Sequence, residues 1–231
     1  MANPLGKVID KTKGRRLVIS DIHGCSQTLD ALLDKLSITD EDQVFFLGDY
    51  VNKGPNSLKV LDTLIGLNQK ANHYFLLGNH DLLLLEYLQN GDNGHKLRLE
   101  ELNSSSFFDL SETDRSKYQS FLESLHHYFI SDEFILVHAG FNFNLQNPFL
   151  GKEDMLNVRS FYYDGSKAMN KTIVHGHYPF TKKEIEEAIS AYQKVIPLDN
   201  GCVYKGERDG MGELLCLNLD TLELIGQEKL D

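Results

Sequence analysis

Five short apolar, β-rich runs in this chain each stop at a polar cluster, and that repeated boundary constrains the fold more than any other feature. Arg16-Leu17-Val18-Ile19-Ser20 leads into Asp21-Ile22-His23-Gly24, Val44-Phe45-Phe46-Leu47 into Gly48-Asp49, and Tyr74-Phe75-Leu76-Leu77 into Gly78-Asn79-His80-Asp81. Further on, Phe134-Ile135-Leu136-Val137 ends in His138-Ala139-Gly140, and Thr172-Ile173-Val174 ends in His175-Gly176-His177. Between the first three runs lie two amphipathic stretches. One follows Ser26, an N-cap residue, with Leu29, Leu32, Leu33 and Leu36 at helical spacing; the other carries Leu58, Leu61, Leu64 and Ile65. Alternating strands and helices predict βαβ units on a mostly parallel sheet, hence the α/β class. In open sheets of that kind ligands bind at the carboxyl ends of the strands, where the polar clusters fall.

A chain of 231 residues is long enough for one domain with its own core, and 1–231 reads as a single unit. From Asp81 to about His127 the pattern is helical and partly polar, with breaks at 90–94 and at the serines 104–106. Residues from about 90 to 127 are therefore predicted to form a small helical cap. In the tail, Leu214-Leu215-Cys216-Leu217 and Leu222-Glu223-Leu224-Ile225 flank residues 218–221, as in an antiparallel hairpin finishing a second sheet. Residues 1–15, where Gly6, Gly14 and several lysines interrupt any period, are expected to be loosely held.

Composition narrows the function. With 41% hydrophobic and 25% charged residues the chain has globular composition. The net charge of -11, with no basic run beyond pairs such as Arg15-Arg16 and Lys182-Lys183, argues against a nucleic-acid partner. No apolar stretch has the length of a signal-peptide core or a membrane span, so no membrane partner is expected. Cys25, Cys202 and Cys216 form no CxxC pair, which predicts reduced thiols, no structural disulfide and a cytoplasmic location.

A single histidine at a strand end is usually a hydrogen-bonded structural residue. Here all five strand ends carry Asp, Asn or His, the side chains that bind first-row metals through oxygen and imidazole nitrogen. Taken in order, these blocks resemble the calcineurin-like metallophosphoesterases, and within them the phosphoprotein phosphatases of bacterial serine/threonine type. Asp199-Asn200-Gly201-Cys202-Val203-Tyr204 is similar to that family's DTGC motif with its Thr replaced, and the resemblance runs from about Arg16 to the C-terminus.

The resemblance implies a metallophosphoesterase βαβαβ core of two mixed sheets sandwiched by helices. It implies one metal held by Asp21, His23 and Asp49, and a second held by Asp49, Asn79, His138 and His177, with Asp49 bridging. Manganese is the expected divalent ion, with iron or zinc as alternatives. A bridging water then attacks phosphorus directly, with no phosphoenzyme. His80 adjoins Asn79 and is the expected general acid. Arg159, in Met155-Leu156-Asn157-Val158-Arg159, is similar to a family residue that grips the phosphate, and a guanidinium suits two phosphoryl oxygens. Asn79 is expected to face the phosphate as well. His175 is read as outer support for a ligand or as structural, His126 and His127 as solvated or packing residues, and Asp81 as a helix cap. No chemistry is assigned to Cys25 or Cys202.

One departure falls inside the expected site. The phosphoprotein phosphatases have Asp-Arg where this chain has Asn52-Lys53. A carboxylate beside the catalytic histidine favours its charged form, whereas Asn can bond but adds no charge. Lys53 keeps a positive charge for phosphate and loses the planar fork of Arg. Poor leaving groups such as phosphoserine should suffer more from this change than aryl phosphates or phosphoanhydrides. The leading expectation is a serine/threonine phosphoprotein phosphatase, with a phosphoprotein or small phosphorylated compound as partner. A symmetrical bis(5'-nucleosyl)-tetraphosphatase, which shares the Gly-Asn-His-Asp block and cleaves an anhydride, is the alternative. The compact chain and short cap count against it. A third reading is a phosphate-binding pseudo-enzyme silenced by Asn52 and Lys53. Oligomeric state is not fixed by these features.

Overall fold

The structure is a computed structural model that describes residues 5–231. Its strands are β1 (Gly6–Val8), β2 (Arg16–Ile19), β3 (Gln43–Phe46), β4 (His73–Phe75), β5 (Tyr128–Ile130), β6 (Phe134–Val137), β7 (Thr172–His175), β8 (Val195–Pro197), β9 (Glu213–Asn218) and β10 (Leu224–Glu228). Its helices are α1 (Ser26–Leu36), α2 (Ser57–Asn68), α3 (Asn79–Asn90), α4 (Asn93–Glu101), α5 (Glu112–Glu123), α6 (Lys152–Asn157) and α7 (Lys182–Ser190). Two mixed sheets of five strands result, in the orders β10-β9-β2-β3-β4 and β1-β5-β6-β7-β8.

Alternation along the strands explains how the sheets stack, because successive side chains point to opposite faces. Leu17, Ile19, Val44 and Phe46 face the helical layer, where Leu29 and Leu32 of α1 and Val60, Leu61 and Leu64 of α2 meet them. Val18, Phe45, Leu47, Leu215 and Leu217 turn the other way and meet Phe129, Leu136, Val174 and Ile196 of the second sheet. The outer face of that sheet, with Ile135, Val137 and Ile173, is covered by Phe141, Phe143 and Met155. Each such side chain removed from water contributes about 2 kcal/mol.

Three expectations change here. The hairpin β9–β10 joins the first sheet, antiparallel to β2, rather than a second one. Its strand β9 carries Leu214 and Cys216 toward the helices and Leu215 and Leu217 toward the other sheet, so it is buried on both faces and needs a neighbour on each side. The N-terminal segment is not loose where it is described: Gly6, Lys7 and Val8 pair in parallel with Tyr128, Phe129 and Ile130. Backbone pairing requires no apolar period, so residues 6–8 carry no periodic signal of it. Residues 1–4 of that segment lie outside the described residues. The cap begins earlier than expected, since α3 starts at Asn79, inside the third polar cluster. Leu84 and Leu88 of α3 then pack with Leu99 of α4 and with Tyr118, Phe121 and Leu122 of α5. No helix among the described residues is long and apolar enough to cross a membrane.

Asp42, at the entry to β3, ties the starts of β2 and β3 to the turn after α1. Its carboxylate accepts from the Arg15 backbone and guanidinium and from the Thr39 backbone and hydroxyl. The Arg15 side chain beside it holds the acid well below the usual carboxylate range, against the opposing effect of burial. A depressed folded-state acid stabilises above its unfolded value and loses that contribution as pH falls toward the folded one. Asp42→Asn should cost about 2 kcal/mol at neutral pH, and the penalty should shrink below about pH 4. Urea melts of both proteins at two pH values measure it.

Candidate metal centre

The site lies where β2, β3, β6 and β7 end and α3 begins, as the strand-end clusters predict. The loops after β3 and β4 touch at Gly48 and Gly78. A Cβ on Gly48 would lie 2.6 Å from the Gly78 nitrogen, and one on Gly78 would lie 2.3 Å from the Asp49 nitrogen. Asp81 fastens this contact. It caps α3 as expected, from the third helical position, by accepting from the backbone of the N-cap Gly78. Its carboxylate accepts from the backbone N–H groups of Gly78 (2.9 Å), Asp49 (2.7 Å) and Tyr50 (2.9 Å). Two of the ligand-bearing loops are thereby locked to one buried acid, a role that the sequence pattern alone did not suggest.

The imidazoles are oriented from behind. His23 Nδ1 lies 3.0 Å from the Val51 carbonyl and His138 Nδ1 lies 2.8 Å from the Leu47 carbonyl. A carbonyl can only accept, so each ring carries its proton on Nδ1 and turns a bare Nε2 inward, the usual outer support of a metal-binding histidine. Those Nε2 atoms lie 3.6 Å and 3.4 Å from the Asp49 carboxylate. His138 Nε2 also lies 3.2 Å from Asn79 Oδ1, so two lone pairs converge with no proton between them. His177 Nδ1 approaches the same oxygen at 3.0 Å. Asp21 Oδ2 accepts from the His177 backbone N–H at 2.9 Å, while Oδ1 is buried with no hydrogen-bond partner among the described residues.

Converging lone pairs and an orphaned carboxylate oxygen are what a cation relieves, and the donor set of carboxylate, amide oxygen and imidazole suits divalent first-row metals. The electrostatics agree. Burial, together with the charges of Asp199 and Asp49, drives Asp21 well above the carboxylate range. Burial would raise Asp49 too, but His138, His80 and His23 hold it below its ordinary value. Burial and the Lys53 ammonium push His23 far down, and burial with the neighbouring His138 brings His177 to about 4, so both rings are neutral and able to ligate.

Asp49, His138 and His177 form one cluster whose ligand atoms all lie within 4.8 Å of one another, and His23, Asp49 and His80 form another. Asp49 belongs to both. His80 thus stands closer to the ligand set than adjacency to Asn79 suggested. Its backbone N–H donates to Asp49 Oδ1 at 3.0 Å, and its ring meets that of His23 edge-on at 4.8 Å. Burial is the main reason its imidazole falls to about 4. Asn52 Nδ2 donates to His80 Nδ1 at 2.9 Å, and Asn52 Oδ1 accepts from the Ser104 hydroxyl at 2.6 Å. An Nδ1 that accepts leaves the ring proton on Nε2, so His80 is a neutral donor. Ser104, in the serine run read only as a helix break, is the residue that fixes Asn52.

Lys53 is at the site, with its ammonium donating to His23 Nε2 at 2.8 Å. Arg159 is exposed just beyond α6, near enough for its charge to act on His177. His175 and His177 do not point the same way, as strand spacing would have them. β7 ends at His175, and His177 turns inward through a left-handed φ of 69°. His175 instead packs its ring against Phe161 at 5.6 Å, with its Nδ1 3.1 Å from the Gly176 carbonyl. Asn200, the replacement in the late motif, bonds the carbonyls of Phe180 and Gly210 and the Glu213 N–H, which stitches down the loop before β9. Twelve non-glycine residues among those described have positive φ, and His23, Asp49, Asn52, Lys53 and His177 are five of them.

The chain belongs to the calcineurin-like phosphoesterase family, whose model matches residues 14–221. It is therefore a phosphoesterase with the fold and the candidate metal ligands of that family. An asymmetrical bis(5'-nucleosyl)-tetraphosphatase, PrpE of Halalkalibacterium halodurans, is 27% identical over 82% of this chain and 86% of its own length. A symmetrical bis(5'-nucleosyl)-tetraphosphatase of Erwinia tasmaniensis is 44% identical over a shorter stretch, 37% of this chain and 31% of that protein. Among solved structures, a candidate diadenosine tetraphosphatase superposes with a TM-score of 0.64 at 22% identity, covering 100% of both chains. A serine/threonine phosphatase of Saccharomyces cerevisiae superposes with a TM-score of 0.66 at 13% identity, covering 99% of this chain and 85% of that one. At those identities the structures establish the fold alone.

Proposed function

We propose that this chain hydrolyses the phosphoanhydride bridge of a dinucleoside polyphosphate, with diadenosine tetraphosphate as the reference substrate. This reverses the order expected from sequence, which placed a phosphoprotein phosphatase first. The observation that carries the reading is the neutral His80, held by the Asn52 amide instead of a carboxylate. A neutral imidazole is a weak proton donor, and an anhydride leaves as a phosphate oxyanion that needs little protonation. A relative that matches over four fifths of the chain bears a tetraphosphatase name. It is of comparable length, so a compact chain is no obstacle to this reading.

In this reading Asp21, His23 and Asp49 hold one divalent cation, and Asp49, Asn79, His138 and His177 hold the other, manganese first. Such a pair, when bound, supplies Lewis acidity and an activated water. The chain's own residues do the rest. Arg159 and Lys53 place positive charge against the phosphoryl oxygens, and Asn79 adds an amide. His80 Nε2–H faces the departing oxygen, while Ser104 and Asn52 keep the proton on that nitrogen.

The test compares metal-loaded protein on diadenosine tetraphosphate and on a phosphoserine peptide. The dinucleotide should be preferred by about a hundredfold or more in kcat/KM, since the alkyl ester needs the full general-acid contribution. A preference for the peptide would restore the protein phosphatase reading.

A further inference from the structure

Beside the candidate metal centre, α3 and the end of α4 line an open hollow of about 280 Å³ that Asn79 and His80 border. We propose that this cavity receives the nucleoside of the leaving nucleotide and that Arg98 grips that nucleotide's phosphate chain. The inference rests on the anhydride-hydrolase reading and adds where the departing half of the substrate sits.

His80 fixes the direction. A proton donor faces the leaving oxygen, so whatever lies on its outer side belongs to the half that departs. There Leu82 and Leu83 near the start of α3 and Leu102 just past α4 offer an apolar face, with the polar Asn157 beside them. A volume just below the usual range of ligand pockets, about 300–1,000 Å³, suits one nucleoside and not two. Glu86, whose Oε2 lies 3.1 Å from His95 Nε2, keeps its other carboxylate oxygen to accept from a ribose hydroxyl.

Arg98 lies one turn before Leu102 and is near enough for its charge to act on His80. Its only ion pair among the described residues is with Glu101, at 2.8 Å, and both side chains are mostly exposed, at 58% and 66%. An exposed pair of that spacing stabilises little, so the guanidinium is free to take a phosphate in its place, two oxygens at a time. The wall itself is firm. Lys53 N–H donates to the Leu102 carbonyl at 2.6 Å, and the Asn103 amide donates to the Gly54 carbonyl at 3.1 Å. The end of α4 is thereby fixed to the loop that carries Asn52 and Lys53.

Calorimetric titration of the manganese-loaded protein with ADP and with inorganic phosphate tests this without turnover. The wild-type protein should bind ADP about tenfold more tightly than phosphate. Arg98→Gln should remove most of that advantage, and Arg98→Lys should recover part of it, as a point charge without the fork. Equal affinities in the wild type, or an ADP advantage untouched by Arg98→Gln, would overturn the assignment. If the Arg98-dependent advantage is found but diadenosine tetraphosphate is not cleaved, the proposed reaction fails and the nucleotide cavity stands. If the dinucleotide is cleaved and the advantage is missing, the cavity alone fails.

Discussion

Asp49→Asn should remove bound metal and activity together. Asp49 is the one carboxylate shared by both clusters, and it carries the negative charge that three neighbouring imidazoles hold in its ionised form. Asn is nearly the same size and keeps an oxygen for the His80 N–H, which Asp49 now satisfies at 3.0 Å, so the fold should persist. What is lost is charge. Several kcal/mol of electrostatic stabilisation depend on it, and kcat on an aryl phosphate should fall by about a thousandfold or more. Metal per chain after gel filtration, measured by atomic spectroscopy, should fall in parallel. A variant that keeps both its metal and its rate would remove Asp49 from the centre of the site.

His80→Ala should produce the second large effect, one that depends on the leaving group. General acids contribute about 10²–10⁴ in rate where the departing oxygen is basic, and much less where it leaves as a stable anion. The variant should therefore nearly abolish hydrolysis of an alkyl phosphate and spare most turnover of a phosphoanhydride. Asn52→Asp should shift the balance the other way, because a carboxylate facing Nδ1 favours the protonated ring. A rate loss in His80→Ala that is the same for every leaving group would show that His80 positions the site and does not donate a proton.

The strand ends are legible in the sequence. A both-faces-buried strand is a continuous apolar run, and its stopping point is visible in the sequence. Asp21, His23, Asp49, Asn79, His138 and His177 were all found at such stopping points. β1, β5 and β8 were not, since three-residue strands such as Gly6–Val8 owe their existence to a neighbour's backbone. The sheet that accepts β9 was equally hidden, because pairing of residues 17–19 with 216–218 is a tertiary choice. The same holds for Ser104 and Asn52, which lie 52 residues apart in sequence and meet only when the cap folds back onto the β3 loop. Asp81 reads locally as a helix cap, but two of its three partners, Asp49 and Tyr50, lie about thirty residues away.

The left-handed backbone at His23, Asp49, Asn52, Lys53 and His177 bears on how such a protein can be improved. Each non-glycine residue in that conformation costs about 1 kcal/mol relative to the right-handed form, and glycine escapes the penalty. Selection for heat resistance alone would therefore enrich glycine at these positions and erode catalysis with every gain. Laboratory evolution that screens for survival at high temperature and for turnover in the same round should instead find its stabilising changes far from the strand ends. Backbone strain in this chain is thus concentrated on the residues that carry its candidate metal ligands.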